Sequence, residues 1–308
     1  MGALRGVFIA LSESPRARRF VLRNRISRRA SRRFVAGETL ADGLAAVRAL
    51  NQAGLHASLN YLGEKTTSPA EAEQAAARYL EILAAVTGER LDCNLSIKLS
   101  QLGAAGDPAL AEALLRRILA AARATDTFVR IDMEESALVD PTLTLWRRVW
   151  QDGFRNVGLV IQAYLRRSRA DLEALVGEGV RIRLVKGAYL EPPQVAFPRK
   201  ADVDAAYGHL MEILLRRGTY PAIATHDERM VARARAFATA EGIPLDRFEF
   251  QMIYGVRRDL QLALAQQGYN VRVYVPFGEQ WYPYFMRRLG ERPANVFFLL
   301  RGVLAEWR

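Results

Sequence analysis

Charged side chains stand at the ends of short apolar segments in this sequence, where chemistry could be done. Lys98 follows the segment Leu95-Ser96-Ile97, and Asp132 follows Arg130-Ile131 in the next such segment. An unpaired charge inside an apolar strand would cost several kcal/mol. Lys98 therefore needs a carboxylate, and Asp132 is the nearest candidate. A purely structural ion pair between the two is the alternative to a binding role.

Polar residues also end six further apolar segments. They are Asn60, Tyr61, Gln162, Arg183, Lys186, Thr225, His226, Asp227, Gln251, Tyr254 and Tyr274, with Glu134 following Asp132. Some have plain structural explanations, because His226 could be a core histidine and Gln162 could bond Gln251. If the ends of these segments meet in space, Lys98, Arg183 and Lys186 lie together with few carboxylates nearby. Such a site favours the binding of an anion or of an electron-rich cofactor.

The lysines are informative because the chain has 40 arginines and only four lysines. A lysine offers a compact ammonium where the planar fork of arginine does not fit. The four are Lys65, Lys98, Lys186 and Lys200, and all fall at the ends of these segments or in the loops that follow. Chance retention is the alternative. Lys186 beside Arg183 would also suit a Schiff-base aldolase, since a neighbouring cation favours the neutral amine.

Hydrophobic periodicity predicts the elements that position these residues. Eight strands alternate with helical stretches such as Ser68 to Val86 and Pro108 to Ala124. The predicted strands are His56 to Leu62, Asn94 to Leu99, Phe128 to Met133, Val157 to Ala163, Arg181 to Lys186, Ala222 to His226, Glu249 to Ile253 and Val271 to Val275. Eight such units predict a (β/α)8 barrel of the TIM type, whose strands present functional residues at their carboxyl ends. A doubly wound open sheet is the alternative, but the common glycine-rich nucleotide-binding motifs are absent from the sequence.

Composition excludes several protein classes. The chain has 308 residues, of which 50% are hydrophobic and 25% charged, so a mostly disordered chain is excluded. One cysteine and three histidines provide neither a disulfide framework nor a cysteine/histidine zinc site, and no metal is expected. A reducing compartment fits this cysteine usage. The apolar run near the amino end, residues 6 to 11, is far shorter than the roughly 20 residues that a membrane span needs.

Most of the positive charge lies near the amino end. Residues 1 to 40 contain ten arginines and two glutamates, a net charge of +8 out of +11 for the chain. Arginines interleave with Phe20, Leu22 and Ile26 in the pattern of a basic amphipathic helix. Such a helix can lie on the domain, on anionic lipid or, with least support, on nucleic acid. We therefore expect a basic helical arm over residues 1 to 50 and a catalytic barrel over residues 51 to 308.

The segment after the eighth strand is unusual for an outer barrel helix. Trp281, Tyr284, Arg288 and Glu291 fall on one face of a helix, and Arg287 lies about 100° from Arg288 about the helix axis. This composition suits a helix lying across the barrel mouth with its guanidinium groups directed at a carboxylate. A basic surface helix with ordinary arginine–glutamate pairing is the alternative.

Together these motifs resemble the proline dehydrogenase family. The resemblance covers roughly residues 56 to 300 and is carried by the segments 95–100, 130–134, 181–189, 224–227 and 271–278, with Tyr284, Arg287, Arg288 and Glu291. It implies a distorted α/β barrel that binds FAD, with the eighth helix over the carboxyl ends of the strands. It also implies the stand-alone bacterial form.

The resemblance also assigns roles to residues. It implies Asp132 and Arg183 as catalytic residues, and a proline site built from Lys98, Tyr189, Tyr274, Tyr284, Arg287, Arg288 and Glu291. It implies FAD contacts from Met133, Gln162, Arg183, Lys186, Gly187, Ala188, Thr225 and His226, with Arg199 and Lys200 at the pyrophosphate or adenine end. Leu190 departs from the pattern, since many relatives have tryptophan there.

The implied reaction is oxidation of L-proline to Δ1-pyrroline-5-carboxylate by hydride transfer to flavin N5, the first step of proline breakdown to glutamate. The family passes the electrons to a membrane quinone. We accordingly expect a cytoplasmic enzyme at the inner membrane, with the basic arm on an anionic membrane surface and no nucleic-acid partner. No feature of the sequence specifies an oligomeric state, and the Schiff-base aldolase stays as the alternative function.

Overall fold

Eight parallel strands close into a barrel in the computed structural model, which describes residues 33–63 and 65–291, with side chains through residue 286. The strands are β1 (His56–Tyr61), β2 (Cys93–Ile97), β3 (Val129–Ile131), β4 (Val157–Gln162), β5 (Ile182–Val185), β6 (Ala222–Ala224), β7 (Glu249–Ile253) and β8 (Asn270–Phe277). Each pairs with its neighbours in sequence order, and β8 returns to β1. The predicted (β/α)8 barrel is confirmed, and the open sheet is wrong.

Helices connect consecutive strands on the outside of the barrel, with, among the described residues, one further helix before β1 and one after β8. They are α1 (Leu40–Gln52), α2 (Pro69–Gly88), α3 (Pro108–Ala124), α4 (Val139–Gln151), α5 (Ser168–Val176), α6 (Lys200–Arg217), α7 (Glu228–Ala240), α8 (Arg258–Gln266) and α9 (Trp281–Glu291). Local chemistry explains where α2 begins: the Ser68 hydroxyl accepts from the backbone N–H of Glu71, and Pro69 occupies the first helical position. Asp107 caps α3 in the same way, ahead of Pro108.

Side chains alternate along each strand between two buried regions, one under the helices and one inside the barrel. Residues such as Leu59, Leu95 and Ile97 point outward and pack beneath the helices in one large apolar core. Many of the side chains that point into the barrel are instead polar and buried: Ser58, Asn60, Ser96, Arg130, Arg183, Glu249, Gln251 and Arg272. Branched aliphatic residues normally fill a TIM barrel. The interior of this barrel therefore depends on hydrogen bonds and ion pairs.

Helix α9 lies at the carboxyl ends of the strands. It forms a second apolar cluster, whose buried members are Phe34, Val35, Leu62, Trp281, Tyr282, Tyr284, Phe285 and Met286. Leu62 directly follows β1, and Val256, which packs against this cluster, follows β7. Because both residues stand at the barrel mouth, the expected position of the eighth helix over the strand ends is confirmed.

The segment before α1 also packs on the barrel. The backbone N–H of Ala36 donates to the Pro276 carbonyl at 2.9 Å, and Gly278 donates to Gly37 at 2.9 Å. The basic residues 1–32 of the expected arm lie outside the described residues, whereas residues 33–50 contact the barrel. In the part of the chain that the structure describes, no helix combines the length and hydropathy needed to cross a membrane.

Candidate active site

An ion pair between Asp132 and Arg183 forms the centre of the polar barrel mouth. Asp132 directly follows β3, and its carboxylate accepts from Nη1 of Arg183, in β5, at 2.7 Å. Its other oxygen accepts from the hydroxyl of Tyr274, in β8, at 2.7 Å. The Asp132 and Arg183 side chains are only 13% and 6% exposed, so water screens the pair little. Three strands distant in sequence thus assemble one charged cluster.

The Arg183 guanidinium is held from several directions. Its Nε–H donates to Oε1 of Gln251 at 2.5 Å, and Nη2 donates to the Ser96 hydroxyl at 3.1 Å. Its Cζ lies 5.3 Å from the centre of the Tyr274 ring, within cation–π range. These contacts fix both the position and the plane of the guanidinium.

Tyr274 acts as a hydrogen-bond donor in this cluster. Burial raises the pKa of its phenol well above the usual value, and the negative charge of Asp132 raises it further. Tyr284 of α9 is buried and close enough to contribute to the same shift. Tyr274 therefore stays protonated and keeps its proton directed at Asp132.

The expected pairing of Lys98 with Asp132 is wrong. Asp132 forms its ion pair with Arg183, while Lys98 Nζ donates to Oδ1 of Asn60 at 3.4 Å. A fully buried guanidinium needs a counterion more than a half-buried ammonium does, because its desolvation cost is larger. Lys98 nevertheless lies at the mouth, directly after β2.

Met133 and Gln162 lie at the same end of the barrel, as expected. Gln162 Nε2 donates to the backbone carbonyl of Glu134 at 2.8 Å. The Glu134 carboxylate accepts from the N–H and the hydroxyl of Ser100, at 3.1 and 2.6 Å, while burial raises its pKa. Among the described residues there is no hydrogen bond between Gln162 and Gln251. The alternative in which the two glutamines bond each other is therefore wrong.

Lys186, directly after β5, is bound by two carboxylates. Its Nζ lies 2.5 Å from Oδ1 of Asp204 and 3.1 Å from Oδ2 of Asp227. Burial alone would raise the pKa of Asp227, but hydrogen bonds from Arg229 and Lys186 lower it below its ordinary value. Two carboxylates engage the Lys186 Nζ, whereas a Schiff base requires an amine nitrogen that is available to attack a carbonyl. This geometry disfavours the aldolase.

The loop after β5 begins at a crowded glycine. Gly187 has a φ of +114°, and a Cβ there would approach the Tyr164 ring to 2.1 Å. Only glycine fits this site without displacing the aromatic ring. Ala188 and Tyr189 follow, half-buried, whereas Leu190 is 61% exposed.

The remaining predicted cofactor contacts lie around the rim. The Thr225 hydroxyl accepts from the Asp227 N–H at 3.1 Å, and His226 Nε2 accepts from the Ile253 N–H at 2.9 Å. An accepting Nε2 leaves the proton of neutral His226 on Nδ1. Arg199 and Lys200 stand at the start of α6, exposed and paired with Asp202 and Asp204.

The residues predicted to bind the substrate carboxylate, here called the carboxylate clamp, lie in the last turns of α9. The backbone of Arg287, Arg288 and Glu291 is helical, and their side chains lie outside the described residues. The described beginning of the helix is buried on all sides at residues 281–286. Helix α9 therefore brings the backbone of the clamp residues to the mouth.

Comparison with known proteins decides the family. The family model described as proline dehydrogenase matches residues 43–301. This chain belongs to the proline dehydrogenase family. The match spans all eight strands and α9, so the resemblance drawn from the motifs is confirmed.

Curated relatives agree with this assignment. The chain is 41% identical over 301 residues to proline dehydrogenase 1 of Bacillus subtilis strain 168, covering 98% of this chain and 99% of that protein. It is 44% identical over 276 residues to proline dehydrogenase of Deinococcus radiodurans, covering 88% and 89%. These matches, which cover most of both chains, support a proline dehydrogenase enzyme.

Solved structures show the same fold. The crystal structure of proline utilization A (PutA) from Bdellovibrio bacteriovorus, inactivated by N-propargylglycine, aligns with a TM-score of 0.80 at 26% identity. The alignment covers 85% of this chain and 32% of the PutA chain. The proline dehydrogenase barrel of this chain thus corresponds to about a third of that longer protein.

The sequence patterns did not point to five buried residues of this proline dehydrogenase: Ser58, Ser96, Arg130, Glu249 and Arg272. Each belongs to a strand and alternates with an outward apolar residue, which was a usable signal for an inward position. Arg130 donates from Nη1 to the Leu159 carbonyl at 3.0 Å and contacts the Arg181 carbonyl. Charged residues to which the sequence analysis gave no role therefore build the barrel interior.

Proposed function

We propose that this proline dehydrogenase oxidises L-proline to Δ1-pyrroline-5-carboxylate with FAD and passes the electrons to a membrane quinone. The observation that carries the proposal is the buried cluster of Asp132, Arg183 and Tyr274 at the mouth of a proline dehydrogenase barrel. Lys98 adds a second cation at the same end. This arrangement suits an anionic amino acid beside an electron-accepting ring.

The donor chemistry of the mouth fits FAD. When bound, FAD supplies the two-electron acceptor for the C–H bond of the substrate. Within the described residues, three of the five N–H donors of Arg183 are engaged, so the group retains donor capacity for an electron-rich ring. Met133, Gln162, Lys186, Gly187, Ala188, Thr225 and His226 would hold the ring and ribityl chain, and Arg199 with Lys200 would hold the pyrophosphate or adenine end.

The substrate carboxylate would be bound by Arg287, Arg288 and Lys98. Tyr189, Tyr274 and Tyr284 would line the proline pocket, and Glu291 would orient the arginine pair. Arginine binds a carboxylate bidentately, which fixes the orientation of the ring as well as its position. Correct positioning can supply about 7 to 11 kcal/mol of a barrier, so a strong base is not required.

Asp132 acts in this proposal as the counterion of Arg183. Both of its carboxylate oxygens accept hydrogen bonds, one from Arg183 and one from Tyr274. Asp132 therefore stabilises the charged site and orients Arg183 and Tyr274.

The visible absorption spectrum tests the proposed function. Purified protein should be yellow, and anaerobic L-proline should bleach the flavin band. Pyrrolidine, which lacks the carboxylate, is the matched control and should leave the band unchanged at the same concentration. Protein that stays colourless after incubation with FAD, or a flavin band that proline does not change, would contradict the proposal.

Peripheral membrane contact through residues 1–40 forms part of the same proposal. Their net charge of +8 favours anionic lipid, with about 1 kcal/mol gained per basic residue near the surface. The full chain should float with vesicles containing phosphatidylglycerol at low salt and dissociate at high salt. Equal flotation with purely zwitterionic vesicles would contradict the membrane role.

A further inference from the structure

A continuous line of polar side chains runs through the barrel from its mouth to its opposite end. Its members are Tyr274, Asp132, Arg183, Gln251, Glu249, Arg272 and Asp92, each bonded to the next. The proposed reaction uses only the first three. Burying the others is costly unless they are paired, so their presence in a barrel interior needs a physical reason.

Gln251 connects the two halves of the line through the two ends of its amide. Its Oε1 accepts from Arg183 Nε at 2.5 Å, and its Nε2 donates to the carboxylate of Glu249. A carboxylate can only accept, and the guanidinium can only donate. Reversing the amide would set donor against donor at one end and acceptor against acceptor at the other. Glu249 thus determines which end of Gln251 faces Arg183.

Arg272 keeps Glu249 in its charged, accepting form. Its Nε lies 3.2 and 3.0 Å from the two carboxylate oxygens of Glu249, which is 1% exposed. Burial alone would raise the pKa of Glu249, but attraction to Arg272 lowers it below the ordinary value. Arg272 is itself anchored by the Ala57 carbonyl at 2.8 Å. The lower half of the line is therefore a fixed acceptor beneath Gln251.

We propose that Glu249 and Gln251 are positioning residues, which hold Arg183 in the orientation that it needs toward the bound cofactor. The inference rests on the proposed role of Arg183. Asp132 and Ser96 hold its two terminal nitrogens, and Gln251 holds the remaining Nε–H. Without that third contact the guanidinium plane can tilt about the other two. The oxidation step should then slow, while proline binding through Lys98 and the α9 arginines stays intact.

Gln251→Leu tests the contact, and Gln261→Leu is its matched control. Both glutamines are buried, at 4% and 2% exposure, but among the described residues the Gln261 side chain bonds only the carbonyls of Ile253 and Val256. Gln251→Leu should lower kcat about tenfold or more, since a hydrogen bond to a charged group is lost. KM for proline should change less than twofold, and the midpoint potential of the bound flavin should become more negative. An unchanged kcat and potential, or a loss confined to KM, would overturn the proposal.

A double-mutant cycle tests whether Glu249 acts through Gln251. Glu249→Gln should lower kcat in the wild-type background and cause no further decrease in the Gln251→Leu background. If the decreases in kcat from the two substitutions multiply in the double variant, this part of the proposal is overturned. If Glu249→Gln fails to fold because Arg272 loses its counterion, Glu249→Gln/Arg272→Gln takes its place in the cycle, with the same expected result.

The exchange rate of the Arg183 Nε–H gives a readout that does not need the cofactor. In protein free of FAD, its NMR signal should be protected from solvent exchange, and Arg183→Lys identifies the signal by its loss. Gln251→Leu should remove the protection, whereas Gln261→Leu should not. Unchanged protection in Gln251→Leu would overturn the positioning role. Protein that shows the protected signal but never binds FAD would instead refute the proposed function.

Discussion

Asp132→Asn should destabilise the protein strongly, because it leaves the charge of Arg183 buried without its counterion. Removing one partner of a buried ion pair costs about 3 to 5 kcal/mol. The pair here is 13% and 6% exposed with a separation of 2.7 Å, so solvent compensates little. An asparagine carbonyl can still accept from Arg183 while its amide donates to the Tyr274 hydroxyl. We therefore expect the lower end of the range, about 3 kcal/mol.

Urea unfolding at neutral pH, monitored by circular dichroism, measures this loss. Asp259→Asn is the control, because its pair with Arg257 lies at the surface, with Asp259 69% exposed, and should contribute about 0 to 1 kcal/mol. The substitution at Asp132 should also lower the pKa of Tyr274, since one of the charges that raises it is removed. An equal, small loss for both variants would refute the view that this pair organises the mouth.

Three further predictions concern packing, pH and substrate binding. Gly158→Ala should cost about 1 to 3 kcal/mol, because its Cβ would lie 2.4 Å from a backbone carbonyl oxygen in the barrel; Gly88→Ala, with open space around it, should not destabilise in the same urea titration. The hydrogen bond that His56 Nδ1 donates to the Asp92 carboxylate raises the pKa of His56. Its stabilisation is therefore complete below pH about 6.5 and disappears as pH rises through the folded-state pKa. Asp92→Asn should flatten that dependence in thermal unfolding, and an unchanged slope would contradict the pairing. Arg288→Met should raise KM for proline about 10- to 150-fold, because the variant loses a charged hydrogen bond to the substrate carboxylate. An unchanged KM in steady-state kinetics would exclude Arg288 from the carboxylate clamp.

The elements of the fold could be read from local pattern. All eight predicted strands are present, and Glu249–Ile253 has the predicted bounds, as does the helix Pro108–Ala124. Strand alternation, helix capping and proline placement act over a few residues, so a single sequence displays them. The paired arginines and the lysine–glycine motif identified the family for the same reason, since each occupies a short contiguous stretch.

The partners inside the barrel were decided by tertiary structure. Arg183 binds Asp132, Gln251 and Ser96 across sequence separations of 51, 68 and 87 residues. Alternation shows that each of these side chains points inward, but closure of the barrel determines which of them meet. The sequence predicted Lys98 as the partner of Asp132 because their strands are neighbours. The more deeply buried guanidinium takes the carboxylate instead, since desolvation makes its need for a counterion larger.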